Sequence, residues 1–292
     1  MARSRTAGRH GSWSRTHTGL CMSFSDPARY DRFMGRWSRC LAPQFIRFSG
    51  IGDGQRVLDV GCGTGSLARA LLATGKEVRV DGVDPVEAFV EYARHAASND
   101  ERAVFRASPA ETLPYDDKTF DAALALLVLQ ELADPVQAVR EMARVTREGG
   151  RIAACQWDFV DGMPMLSLFW RAAEMVAPAK VAARRAKTPS RRVNGPGDLA
   201  EVWRQAGLAD VATTILEIPM RFCSFEDYWR PFRAGATPTT DFAETINSET
   251  EGKLERTLRG LITDIEPDGS FVLRAQAWAV AGCARHARAS AA

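Results

Sequence analysis

Residues 57–65, "VLDVGCGTG", restrict the fold of this chain more than any other stretch. Val57, Leu58, Asp59 and Val60 read as a buried strand, because apolar and β-branched residues dominate the run and Gly61 stops it. The chain then turns through Gly61-Cys62-Gly63-Thr64-Gly65, after which Leu67, Ala70, Leu71 and Thr74 recur at helical spacing. Ser66 stands where a first-turn cap is expected, and Gly75 where a left-handed C-terminal cap is expected. Strand, glycine turn and helix together offer backbone N–H groups and the positive end of a helix to a ligand. Glycine serves such a turn twice, accepting positive φ without strain and letting a ligand approach bare backbone.

Spacing separates the ligands that use this layout. A dinucleotide turn reads G-x-G-x-x-G, whereas Ser66 occupies the third glycine's place here and the pattern is G-x-G-x-G. An NAD-dependent oxidoreductase is disfavoured on that ground. "VLDVGCGTG", followed by "VDGVDP" at residues 80–85, resembles motifs I and II of the class I S-adenosylmethionine-dependent methyltransferases, in a type 11-like domain. The resemblance implies a doubly wound, Rossmann-like α/β fold. It has a mostly parallel seven-stranded sheet with an antiparallel edge pair, an N-terminal helix and a helical cap. It implies S-adenosyl-L-methionine as cofactor, with Asp59, Gly61, Cys62 and Gly63 of motif I among the residues that bind it. The alternative is a noncatalytic module that keeps the cofactor pocket.

The rest of the chain alternates as such a fold demands. "EVRVDGVD" reads as the second strand, ending at Asp84, with Pro85 opening a helix whose Phe89, Val90 and Ala93 face inward. Asp84 lies nineteen positions after Gly65, close to the offset at which a carboxylate on the second strand accepts from ribose hydroxyls. The family usually reads Gly-Asp-Ala-Glu after the third strand. Here Ser108, Pro109, Ala110 and Glu111 stand there, and Pro109 can neither accept through its side chain nor donate from its backbone. Adenine is therefore expected against the Ala110 amide, Glu111 at the margin, and the apolar surfaces of Pro85 and Val86. Residues 122–127 read as a strand covered on both faces, with carbonyls around Leu126 and Leu127 facing the methionine end. Asp134-Pro135 starts a further helix with Val136, Val139 and Ala143 inward, which "EGG" is expected to end before the strand "RIAACQW".

Methyl transfer is an in-line displacement that needs alignment and desolvation above all, and a base only when the acceptor arrives protonated. Gln130 and Glu131 follow the fourth strand where many relatives carry histidine, so Glu131 is the candidate base and Gln130 the orienting group. The bland alternative is that both cap or solvate a turn. "LLVLQEL" replaces the Asn/Asp-Pro-Pro-aromatic and Pro-Cys signatures of enzymes acting on nucleobases or amides. A small organic acceptor is the remaining expectation, with O-, N- or C-methylation open. In "PARYDRFMGRWSRCLAPQFIRF", Tyr30, Phe33, Met34 and Trp37 share a helical face. The resemblance to an element that closes over the methyl donor makes Tyr30, Arg36 and Trp37 candidates to touch the cofactor or substrate.

Composition bounds the alternatives. A chain of 292 residues with 46% hydrophobic and 25% charged residues is ordinary for a globular protein, and a net charge of +2 gives no strong pull toward nucleic acid or membrane. The longest apolar run, Ala122 to Leu129, is too short to span a bilayer. Six cysteines without a C-x-x-C pair argue against a zinc site or disulfide framework and fit a reducing, cytoplasmic setting. Residues 1–25 carry no acidic side chain and read as a disordered basic extension or a leader, with a start at Met22 as a further reading. Asp26-Pro27 reads as a helix start. The division expected is a core at 26–157, a helical cap at 158–210 and closing strands and helices at 211–292. Within the cap, residues 175–197 hold Lys180, Arg184, Arg185, Lys187, Arg191 and Arg192 without an acid. They read as a solvated lid, or as recognition of an anionic acceptor.

Overall fold

The computed structural model describes residues 26–187, 193, 195–233 and 238–285. The basic extension through Ser25, and Arg191 and Arg192, lie outside them. Asp26 accepts a hydrogen bond from the Arg29 N–H and Pro27 takes the first helical position, so α1 (Pro27–Tyr30) starts where its cap and proline dictate. A π-helical turn, Asp31–Gly35, links it to α2 (Arg36–Ser49), which ends on left-handed Gly50.

The chain then builds β1 (Arg56–Val60), α3 (Ser66–Leu72), β2 (Arg79–Asp84), α4 (Glu87–Ala96), β3 (Ala103–Ala107) and β4 (Phe120–Leu126). After α5 (Pro135–Val145) and β5 (Thr146–Trp157) come α6 (Pro164–Val176), α7 (Pro178–Lys187) and α8 (Pro196–Gln205). The rest is β6 (Ala209–Phe222), α9 (Phe225–Arg233), α10 (Pro238–Ala243), α11 (Ser248–Leu261) and β7 (Phe271–Cys283). The seven strands form one sheet in the order β3-β2-β1-β4-β5-β7-β6. β3, β2, β1, β4 and β5 run parallel, and β7 runs antiparallel to both β5 and β6. This is the expected doubly wound sheet with an antiparallel edge.

Alternate residues of each central strand feed opposite cores. Val57 of β1 and Ala122, Leu124 and Leu126 of β4 join the core beneath α2 and α3, while Leu58, Val60, Ala123 and Ala125 join the core beneath α5 and α8. That double coverage is why β4 reads as an unbroken apolar run. Aspartate at 59 falls on the α3 side of this alternation, among buried apolar groups.

The helices group differently from the linear division. α8 packs on α5, β6 and β7 and belongs to the sheet's own layer. The cap is α6 and α7 with α9, α10 and α11, joined by aromatic contacts such as Phe169 stacked on Phe232 at 4.8 Å and Trp170 edge-on to Phe242 at 5.4 Å.

Three local expectations change. Gly65, at φ +75°, is the N-cap of α3, and Ser66 is the first helical residue with no capping bond. α3 ends at Leu72 with Ala73 as its C-cap, and Gly75 does not take a positive φ. A side chain at 75 would collide with the Asp53 carboxylate, which accepts from the N–H groups of Lys76 and Glu77. "EGG" lies inside β5 because α5 already ends at Val145. No helix among the described residues is long and apolar enough to cross a membrane.

Candidate functional site

The strand order reverses between β1 and β4, and a ligand crevice is expected outside the carboxyl ends of strands at such a switch point. A cavity of about 30 Å³ sits there, lined by Tyr30, Ser38, Gly61, Cys62, Gly63, Thr64, Ser66, Leu67 and Leu126. Each glycine of the turn has its own reason. Gly61 has φ +68°, and a Cβ on it would run into Val128. Gly65 has φ +75° and packs against Ala93 of α4, where a Cβ would sit 3.2 Å from the Ala93 Cβ. Gly63 has φ +50° and faces open space, with only the Gly61 carbonyl 3.9 Å from a Cβ built on it. Only at Gly63 is the absent side chain left for a ligand.

A Gly63→Ala variant is expected to fold, destabilised by about 1 kcal/mol for the left-handed backbone, and to lose most of its affinity for a ligand seated on the turn. Thermal unfolding read beside a binding titration checks both halves.

Asp84 ties the turn together. Its Oδ2 accepts from the Gly63 N–H at 3.1 Å and its Oδ1 from the Val86 N–H at 3.0 Å. Burial pushes its carboxyl above the ordinary range against those two hydrogen bonds. Pro85 is exposed and Val86 is 36% exposed, leaving an apolar ledge beside the carboxylate. Ala110 is buried in the core under α5, while Glu111 is half-buried and its carbonyl accepts from Gln137 Nε2 at 3.4 Å.

Asp59 is fully buried; its Oδ2 accepts from the Ala68 N–H at 3.1 Å and its Oδ1 has no partner. Burial pushes its carboxyl up to about 7. Burial also pushes the Cys62 thiol up, which keeps it a neutral wall of the cavity. Ser66 Oγ and Gln130 Oε1 are likewise buried and without a partner. Orphaned polar atoms are expensive to leave unpaired, and Ser66, which lines the cavity, fits a polar ligand together with the space over Gly63.

Tyr30 covers the turn from the N-terminal side, its ring edge-on to Phe89 at 5.8 Å. Burial pushes its hydroxyl up to about 12, and a hydrogen bond to Ser38 opposes that rise. The charges of Glu131 and Asp84 also reach the hydroxyl and raise it further, so the structure brings these three residues into one electrostatic neighbourhood. Leu126 lines the cavity. Leu127 adopts φ +64° and donates its N–H to the Cys155 carbonyl at 2.8 Å, turning the chain out of the sheet into the short 3-10 turn Leu129–Glu131. That turn carries Gln130 and Glu131.

Arg36 and Trp37 are placed elsewhere. Arg36 Nη1 donates to Asp227 of α9 at 2.8 Å, and its guanidinium lies over the rings of Trp37 and Phe222 at 4.0 and 4.8 Å. Trp37 is buried against Phe222 of β6. In the basic stretch, Arg185 pairs with Glu174 at 2.9 Å, Arg184 lies over Trp170 at 4.9 Å and Lys180 donates to the Thr245 carbonyl. These described cations are engaged within the cap. Two features had no legible signal in sequence, the Val128 wall behind Gly61 and the Asp227 partner of Arg36, because both come from elements distant in the chain.

Comparison with known proteins returns the same region. Residues 58–154 match a family profile described as "Methyltransferase domain". The chain is 42% identical over 103 residues to 27-O-demethylrifamycin SV methyltransferase of Amycolatopsis mediterranei, covering 34% of this chain and 38% of that protein. It is 36% identical over 104 residues to demethylmenaquinone methyltransferase of Clavibacter sepedonicus, covering 36% and 42%. The matched region thus spans less than half the length of these relatives. Phosphoethanolamine N-methyltransferase 2 of Haemonchus contortus, in complex with S-adenosyl-L-methionine, superposes with a TM-score of 0.55 at 16% identity. It covers 89% of this chain and 57% of its own, a likeness of fold.

Proposed function

We propose, from the premise that this chain belongs to the class I S-adenosylmethionine-dependent methyltransferases, that it binds S-adenosyl-L-methionine on the glycine turn and methylates a small organic molecule. The observation that carries the reading is the Asp84 carboxylate joined to the Gly63 N–H at 3.1 Å, beside a turn position that is open to a ligand. Bound there, the cofactor supplies a sulfonium methyl for in-line displacement.

Their placement supports a role for each residue in this reading. Asp84 holds the ribose hydroxyls through the lone pairs its two backbone contacts leave over. Pro85 and Val86 carry the adenine face, with the Ala110 amide and Glu111 at its margin. Gly61, Cys62 and Gly63 carry the backbone of the turn, and Asp59 sits behind it as an acceptor for the cationic amino-acid end. Leu126 and Leu127 form the floor at that end. Glu131 takes the acceptor's proton and Gln130 orients it. Tyr30 excludes water and must swing aside, because a 30 Å³ cavity is far below the several hundred Å³ that ligand sites of this kind occupy.

The test is turnover. Incubation of the full chain with S-adenosyl-L-methionine and pools of phenolic, amino and carbon acceptors is expected to release S-adenosylhomocysteine. A Glu131→Gln variant is expected to lower kcat by roughly 10²–10⁴-fold with cofactor affinity unchanged. Binding without turnover across all pools would favour a noncatalytic module, and full activity in the variant would remove Glu131 from the chemistry.

A further inference from the structure

Arg36 leads away from the glycine turn to a second concavity. A groove of about 730 Å³ runs between the N-terminal segment and α9, lined by Arg32, Arg36, Ser224, Glu226, Asp227, Arg230 and Pro231. Its floor is fixed. Arg36 is sandwiched over Trp37 and Phe222 and pinned to Asp227, and Asp227 in turn accepts from the Cys223 N–H at 3.1 Å. A guanidinium held this way loses little freedom when it meets a ligand. Arg36 Nε and Nη2 and the neighbouring Trp37 Nε1 are buried donors without a partner. On the rim, Arg32 and Arg230 are exposed and make no ion pair with any described residue.

Charge narrows the occupant. Three guanidiniums face two carboxylates in the lining, and the Arg36–Asp227 pair cancels, leaving Arg32 and Arg230 against Glu226. A net excess of one positive charge suits a monoanion, whereas a diphosphate brings more negative charge than the groove offsets. Two planar guanidiniums match a carboxylate in geometry as well as charge.

We propose that this groove seats the carboxylate of a small organic acid between Arg32 and Arg230. The proposal stands independently of the methyltransferase reading, and it places anion recognition on the N-terminal segment and α9 instead of the basic stretch of α7.

The test titrates the full chain with cinnamate, its neutral isostere cinnamamide and inorganic pyrophosphate by calorimetry, with S-adenosylhomocysteine titrated in parallel. An Arg32→Ala/Arg230→Ala variant removes only exposed side chains, so its fold is expected to survive. The expected result is cinnamate binding at least tenfold tighter than cinnamamide, and weakened at least tenfold in the variant. Equal affinity for acid and amide, undiminished cinnamate binding in the variant, or tighter binding of pyrophosphate would overturn the proposal. Binding of S-adenosylhomocysteine but not cinnamate defeats the groove and leaves the methyltransferase reading standing. The reverse pattern defeats the methyltransferase reading and leaves an anion site.

Discussion

An Asp84→Ala variant is expected to bind S-adenosylhomocysteine more weakly by roughly 1.5–3 kcal/mol, the value of a hydrogen bond to a charged group, on the order of ten- to a hundredfold in Kd. The structure adds a second consequence. Because the carboxylate accepts from both Gly63 and Val86, its removal also leaves two backbone donors at the turn without their acceptor. Stability of the free protein should therefore fall together with affinity. The two effects separate by pH. Ribose hydroxyls donate best to the ionised carboxylate, and burial holds this carboxyl above its ordinary range. Wild-type affinity should therefore rise as the pH climbs through the acidic range, and the variant should lack that rise. Titrations across pH with thermal unfolding in parallel measure both, and unchanged affinity in the variant would remove Asp84 from the ribose site.

The second large effect is on stability. Asp59 has a folded-state carboxyl pushed to about 7 by burial, against an unfolded value near 3.9. Its protonated form is favoured in the fold, so the favourable contribution is complete below about pH 4 and is lost as pH rises through about 7. At pH 8 the penalty is at most about 4 kcal/mol, since the two states diverge by roughly 1.4 kcal/mol for each pH unit between those values. An Asp59→Asn variant keeps an acceptor for the Ala68 N–H and removes the ionisation. It should match the wild type near pH 4, exceed it in stability at pH 8, and flatten the dependence between. Parallel unfolding curves at pH 5, 6, 7 and 8 test this. An equally steep decline in the variant would place the pH dependence on other groups.

Once ionised, this carboxyl has the Ala68 N–H as its hydrogen-bond partner among the described residues. Its Oδ1 is unpartnered, and a cationic ligand end would supply the missing charge. On this account the free protein carries a local instability that the bound ligand relieves, so ligand-induced stabilisation should be larger at pH 8 than at pH 5.

What the sequence made legible follows from distance along the chain. The glycine turn, the acid at the end of β2, the Asp26-Pro27 and Asp134-Pro135 helix starts and the twice-covered β4 are all local signals, each set by residues within a few positions of one another. Ser66 reads locally as the first-turn cap, yet the cap is Gly65, whose left-handed backbone packs against Ala93 of α4. Gly75 looked like a cap because it follows a helical pattern, yet its role is to make room for Asp53, twenty-two residues earlier. The cap was harder still, since α6 and α7 pack against α9, α10 and α11 through aromatic contacts between segments separated by the whole of β6. Arg36 reads in sequence as a candidate to touch the cofactor or substrate, but Asp227, 191 residues away, holds it elsewhere. Acceptor chemistry is the least legible layer, because Gln130 and Glu131 stand where the methyltransferases this stretch resembles offer histidine.

The measurement that bears most directly on the central claim is calorimetric titration of the full chain with S-adenosylmethionine, S-adenosylhomocysteine and NAD. Binding of both S-adenosyl ligands with Kd on the order of micromolar, and of NAD not at all, is the predicted result. NAD binding alone would contradict the reading of the glycine turn. Binding of none of the three would contradict the cofactor assignment, with Pro109, where the family this stretch resembles has aspartate, the first residue to replace.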